Sequence, residues 1–538
     1  MTHESGGPVV DSPSSKGPGS LFWVLTLLLT AYVALCTTHR DSIREADAWE
    51  HHRALVALTQ DLRNPGNPTL AGDAADLPSI RYSPYFVSIA ALSRATGLDP
   101  WDALSASAVL NALLMCLGVW AVLAALGRAP ASGLALLVMV SLYGVAPGYA
   151  NSYALADLPW HQVNPSAFSF ALVLFAWAWF LRLDRAPAPA WKWLPLPLMA
   201  AVSLLDHPMT GCLGLLGLAA FSVPGIKSIK GDALRVGVRI GAIAGIALAL
   251  CLLWPWYGFA RALATRPENA YWFNPAIARR ILTEWAAPAL LLSFWCLTAR
   301  DRGVVRLLLL GGAASVAVGV VGMAIKSPTL ARLPLPGLIF FHLALAVTAH
   351  ESGLLRRQAW VERWRALKSG GPGAAEAALA AIVTLAMLYC LTPQVMAIPR
   401  EPHLARSYVA PLTKREDKQP RWRDTYRKVL EPVMGREVVF SDPLTSWPAP
   451  SFRGRVMSAY HFEFFVPGQW QRYEDANRFF ATRSEPERIS LLKKYEARWL
   501  LVDSAQLDER QQAEIIRERS VRSRAGPLVL MDVQAWVN

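Results

Sequence analysis

The 538-residue chain is 53% hydrophobic and only 17% charged, and its apolar residues fall in long uninterrupted blocks separated by short breaks bearing Arg and Pro. A soluble protein of this length would scatter those residues, so the composition excludes a purely soluble fold. The formal net charge of +13 does not point to nucleic acid, because no basic-aromatic module accompanies it and anionic lipid headgroups are a simpler partner for dispersed cations.

Residues 1–20, rich in Ser, Gly and Pro, read as a disordered cytoplasmic tail. One lysine precedes the first apolar block and no small-residue cleavage site follows it, so an uncleaved helix is expected rather than a signal peptide. A bilayer core of about 30 Å takes roughly 20 apolar residues in helical form. Spans are predicted near 21–38, 105–127, 131–150, 165–182, 193–206, 208–224, 236–256, 285–299, 304–325, 333–349 and 374–394, about eleven in all. Alternate loops carry Arg128; Arg182, Arg185 and Lys192; Lys227, Lys230, Arg235 and Arg239; Arg300, Arg302 and Arg306; and Arg356, Arg357, Arg363, Arg365 and Lys368. The opposite loop at 151–164 carries no Lys or Arg, which predicts a cytoplasmic N-terminus and an exported C-terminus. Cys36, Cys116, Cys212, Cys251, Cys296 and Cys390 all lie in or at the ends of these spans and read as buried free thiols, not as a disulfide framework or zinc site.

The first external loop, 39–104, contains Asp47-Ala-Trp-Glu-His-His-Arg-Ala-Leu-Val-Ala-Leu, with apolar residues at helical spacing beside charged ones. An amphipathic helix lying in the interface is expected there, and a second, too short to span, over 85–96. In the C-terminal region, 437–442, 498–503 and 527–532 carry strand signals, while 484–495 and 508–519 read as helices. Residues 395–538 are therefore expected to form a small extracytoplasmic α/β domain, entered through a basic segment at 399–421 that reads as a linker or a surface-hugging strap.

Carboxylates close to lipid are costly when charged, so the acids after the first span, Asp41, Glu45, Asp47 and Glu50, need a reason to be there. Asp47 and Glu50 are three apart and share a helical face with His51. A second group is predicted on the same side: Asp157, His161 and Asn164; Asp206-His207-Pro208; Arg261, Arg266, Glu268, Arg279 and Arg280; and Lys326-Ser-Pro-Thr-Leu-Ala-Arg332. Convergence of these loops would line an outward-facing cavity with acids, histidines and cations.

On these features the chain resembles the GT-C superfamily of integral membrane glycosyltransferases. Glu45-Ala-Asp47 looks like the degenerate acidic motif of that family's first loop, and Arg81-Tyr-Ser-Pro-Tyr85 like its downstream segment. The stretch from Phe452-Arg-Gly-Arg-Val through Tyr495-Glu-Ala-Arg-Trp-Leu-Leu-Val-Asp503 resembles a domain of several bacterial members. The chain has no tryptophan-tryptophan-aspartate signature like that of oligosaccharyltransferases.

The resemblance implies a GT-C-like membrane domain over 21–394 in a bacterial inner membrane. It also implies a polyprenyl-phosphate-linked sugar donor and a glycan, lipid or protein acceptor. It assigns Asp47 as general base, its pKa raised by partial desolvation, and Glu45, Arg81, Tyr82, His161, His207, Lys326 and Arg332 to substrate binding. No cofactor is expected: the acids offer oxygen ligands to a divalent cation, but Arg and Lys alone can neutralise a monophosphate leaving group. A lipid-linked glycan flippase would place ionisable residues at midspan and repeat its halves, and a catalytically inactive assembly protein would keep only the fold.

Overall fold

Long apolar runs free of interior charge become long helices. In the computed structural model, which describes residues 17–37, 46–142, 153–184, 188–223, 231–264, 279–286, 289, 292–298, 302–353, 357–370, 373–397, 422–463 and 465–537, seven helices are long and apolar enough to cross a membrane. These are Ser20–Thr37, Pro100–Ala125, Pro165–Leu183, Leu234–Leu252, Gly303–Ala324, Pro328–Glu351 and Ala374–Met396. The chain is a multi-pass helical membrane protein with a small C-terminal sheet domain, the fold class expected from its sequence.

The helices that position the site are α1 (Ser20–Thr37), α2 (Ala46–Gln60), α3 (Pro84–Thr96), α4 (Pro100–Ala125), α5 (Ser132–Ser141), α6 (Leu158–Gln162), α7 (Pro165–Leu183), α8 (Pro195–Asp206), α9 (Pro208–Ser222) and α10 (Gly231–Leu252). Proline opens α3, α4, α7, α8 and α9, where its missing amide leaves no helical bond unmade. The α8–α9 break falls at His207, whose backbone is extended (φ −155°). Pro208 cannot continue the α8 hydrogen-bond ladder. At 12 and 15 residues, α8 and α9 reach only about 18 and 22 Å, and they pack on each other and on α7. Glycines allow the close approach: a Cβ on Gly217 would sit 2.2 Å from the Trp177 indole, and Trp177 Nε1 donates to the Gly214 carbonyl at 2.9 Å.

Some predicted spans differ. The 131–150 span is helical as α5 only to Ser141, and residues 143–152 lie outside the described residues. Around 285–299 the described residues form a short π-helix at Ile281–Ala286 and a short 3-10 helix at Ser293–Thr298. The first loop departs further from expectation. Helix α2 does not lie open in an interface: it is buried along most of its length from Ala48 to Leu58, packed by α3, α4 and the C-terminal domain. Its charged residues Glu50 and Arg53 pair with groups of the protein.

The C-terminal sheet has five strands, β1 (Val438–Phe440), β2 (Arg455–Val456), β3 (Trp499–Asp503), β4 (Val521–Ala525) and β5 (Leu528–Asp532), in the order β2-β1-β3-β5-β4. β1 runs parallel to β2 and β3, and β5 antiparallel to β3 and β4. β3 is buried throughout, which is why it reads as a continuous apolar run. The first loop joins this sheet beyond β2: Val456 N–H donates to Thr69 O at 2.9 Å and Ala71 N–H to Val456 O at 3.0 Å. The predicted linker at 399–421 lies outside the described residues.

Candidate active site

The α2 stripe predicted from three-residue spacing carries the centre of the site. Glu50 is wholly enclosed, and burying its charge requires partners. Arg81 supplies one from the turn before α3. Arg53, one helical turn on, lies 3.5 Å away. The C-terminal domain supplies two more: His461 Nδ1 at 2.7 Å and Trp447 Nε1 at 3.1 Å from Glu50 Oε1. Because a carboxylate only accepts, the Nδ1 of a neutral His461 carries the proton. Burial pushes the His461 imidazole down to about 4 against the pull of Asp47, so it is neutral near pH 7.

Arg53 is buried as deeply as Glu50 and also faces Glu463 at 3.8 Å. Burial pulls its guanidinium down to about 10 while Glu463 opposes the shift, so it stays cationic. Glu463 in turn accepts from Thr69 at 3.2 Å and Ser79 at 2.9 Å. First loop and C-terminal domain therefore share one buried charge network.

Asp47 is the open member of the stripe, its side chain 39% exposed and 3.9 Å from His461 Nδ1. Burial would raise its carboxyl, but His51, His461, Arg81 and Arg332 together hold it below the usual carboxylate range. This corrects the expected direction: the surrounding cations and histidines outweigh desolvation. Asp47, His51, His161 and Arg332 all lie within electrostatic reach of His207. The loops carrying Asp47, Arg81, His161, His207 and Arg332 therefore converge. His207 Nδ1 is 2.7 Å from Thr210 Oγ1, and Asp206 accepts from the Tyr85 amide in the first turn of α3 at 2.9 Å, which ties the α8–α9 turn to the first loop.

Three assigned residues stand apart. Glu45 lies outside the described residues, as do Asp41, Arg266 and Glu268. Tyr82 is a strut: it is 1% exposed, its hydroxyl donates to Gly66 O at 2.6 Å, and its carbonyl accepts from Trp254 Nε1 at 2.9 Å. Lys326 is exposed with a left-handed φ of 55°, and no described contact draws it to the cluster. The sequence reading gave no role to Arg53, His461, Glu463 or Trp447. The available signal was an acid and a histidine two residues apart inside the apolar run Tyr460–Val466, where unpaired charge would be costly.

Asp47, Glu50 and His461 could each offer a metal ligand, their donor atoms lying within 4.8 Å of one another. Glu50 already has Arg81 as counter-charge, so a divalent cation there would have to displace that guanidinium.

Two solved structures of ArnT from Cupriavidus metallidurans align over 96% of this chain and 98% of theirs at 14% identity: the form bound to undecaprenyl phosphate with TM-score 0.51, and the apo form with 0.50. The apo oligosaccharyltransferase of Archaeoglobus fulgidus aligns at 11% identity over 90% of this chain and 69% of that one, with TM-score 0.49. No family model and no curated protein matches the chain. The likeness to ArnT is one of fold, and it runs over nearly the whole of both chains.

Proposed function

We propose that this chain is a membrane glycosyltransferase that moves a sugar from a polyprenyl-phosphate carrier to a hydroxyl of an envelope glycan, lipid or protein acceptor on the outer face, with inversion and with Asp47 as general base. The observation that carries this reading is a single half-open carboxylate, Asp47, held ionised among Arg81, Arg332 and two histidines beside a multi-pass bundle. The undecaprenyl phosphate bound in one ArnT structure supports the class of carrier.

In the proposed step the acceptor hydroxyl gives its proton to Asp47 and its oxygen attacks the anomeric carbon. The bond from that carbon to the phosphate oxygen breaks with its electron pair staying on the phosphate, which leaves with one more negative charge. Arg81 and Arg332 are the fixed cations facing that charge. The same groups hold Asp47 low, so a seated lipid phosphate that offsets them raises its proton affinity once the donor is bound. Tyr460, 39% exposed and 5.0 Å from the His461 ring, offers the acceptor an aromatic face. Because Arg81 already neutralises Glu50, the proposal needs no metal, and chelators are expected to leave turnover intact.

The Glu50–His461 contact favours one second reading, in which His461, oriented by Glu50, takes the proton. Purified protein in nanodiscs, given radiolabelled polyprenyl-phosphate sugars, separates the readings. Loss of a general base costs about 10²- to 10⁴-fold, expected for Asp47→Asn. Unchanged turnover there, with the loss in His461→Gln, moves the role to His461. A wild-type protein inert toward every donor contradicts the enzymatic reading.

A further inference from the structure

The helix Arg357–Ser369 lies at the end of the bundle away from the site. The helix Pro334–Glu351 begins beside Arg332, near Asp47, and runs to the other end, where Glu351 pairs with Arg128 at 3.4 Å. From there the chain passes through Arg357–Ser369 and turns at Gly370 and Gly373, both with positive φ, into the long apolar helix Ala374–Ala397. A segment confined between the same-side ends of two spanning helices sits at the height of the membrane boundary. The Arg363 guanidinium pins it by donating to the Ser352 carbonyl.

At roughly 100° per residue its side chains divide into three sectors. Ala359, Arg363 and Ala366 turn toward the protein, Arg363 being 9% exposed. Gln358, Glu362, Arg365 and Ser369 form a polar sector. Between them, Val361, Trp364 and Leu367 are 44%, 61% and 39% exposed, with the Lys368 ammonium 5.3 Å above the Trp364 ring. A helix packed on one side by protein, with a tryptophan-bearing apolar strip and a flanking basic edge, has the chemistry of one lying in the headgroup layer.

We propose that Arg357–Ser369 is an in-plane membrane anchor that seats Val361, Trp364 and Leu367 among acyl chains and grips anionic lipid headgroups through Arg365 and Lys368. Charge complementarity selects the occupant: exposed Arg365 at the edge of the apolar strip and Lys368, whose ammonium reaches over Trp364, fit a phosphatidylglycerol-type phosphate better than a zwitterionic headgroup. The inference stands apart from any reading of the distant site.

The full chain in nanodiscs of phosphatidylcholine, with and without phosphatidylglycerol, tests it. The wild type is expected to melt higher with phosphatidylglycerol and, after mild extraction, to retain several-fold more of it by native mass spectrometry than R365E/K368E. That variant should match the wild type in pure phosphatidylcholine and lose the phosphatidylglycerol gain, with R365Q/K368Q as the milder substitute should charge reversal impair folding. Trp364→Glu should lower the melting midpoint in both lipids. Equal wild-type midpoints in the two lipids, or a phosphatidylglycerol gain that survives both double variants, would overturn the proposal.

Discussion

Asp47 and His461 sit 3.9 Å apart and respond to pH in ways that can be separated. The folded-state pKa of Asp47 lies below its ordinary 3.8, so its charge stabilises the fold above that value, and the contribution is lost as acid protonates it through the lower folded value. His461 is depressed from 6.5 to about 4. The unfolded imidazole therefore takes up a proton before the folded one, and stability attributable to it falls between those values as pH is lowered, then levels off. His461→Gln should flatten the melting midpoint over that interval, a window too high for Asp47 to explain. An unchanged profile would show that the ring is not held neutral. At this scale the sequence exposed the acids of α2 and their shared face, because spacing alone sets that. It could not expose the sign of the Asp47 shift, which depends on His461 and Arg332 arriving from 414 and 285 residues away (461 − 47 and 332 − 47).

Secondary elements meet through small contacts with large consequences. Where α9 crosses α7, Gly217 leaves no room for a side chain against the rigid, buried Trp177 ring. Gly217→Val should destabilise the detergent-solubilised protein by about 1–3 kcal/mol, and shrinking Trp177 in the same background should recover part of the loss. Additive losses in that double variant would contradict a direct clash. The junction of first loop and sheet is more demanding, since Glu463 and Arg53 are both enclosed. Glu463→Leu leaves the guanidinium short of a counter-charge and should cost about 3–5 kcal/mol by chemical denaturation, whereas Glu463→Gln, which keeps one acceptor oxygen for the Thr69 and Ser79 hydroxyls, should cost less. β1, β3 and β5 were legible because burial makes them apolar runs. β2, only two residues long, and β4, Val-Arg-Ser-Arg-Ala with alternating exposure, were not, because neither carries a hydrophobic signature. The burial of α2 was missed for a related reason: an amphipathic pattern looks the same whether lipid or another domain covers it.

Across the whole molecule the two ends of the bundle are chemically unlike. One end gathers Asp47, Arg81, His161, His207 and Arg332, and the other holds the pairs Arg128–Glu351 and Asp184–Arg239. The long spans and the C-terminal sheet were readable from composition shifts, but the dependence of the site on the C-terminal domain was not, since only tertiary contact joins Glu50 to Trp447 and His461. The loop-charge rule places the second end in the cytoplasm. Labelling of an introduced cysteine at Ser490 by a membrane-impermeant maleimide in intact cells should therefore be rapid, while protection until lysis would reverse the proposed orientation. The proposed transfer depends most on a lipid-borne phosphate docking beside Asp47. A cryo-electron microscopy structure of the protein in nanodiscs loaded with a polyprenyl phosphate tests this directly. The phosphate should lie within hydrogen-bond reach of Arg81 and Arg332 with its tail entering the bundle, and a headgroup bound away from both arginines would contradict the account.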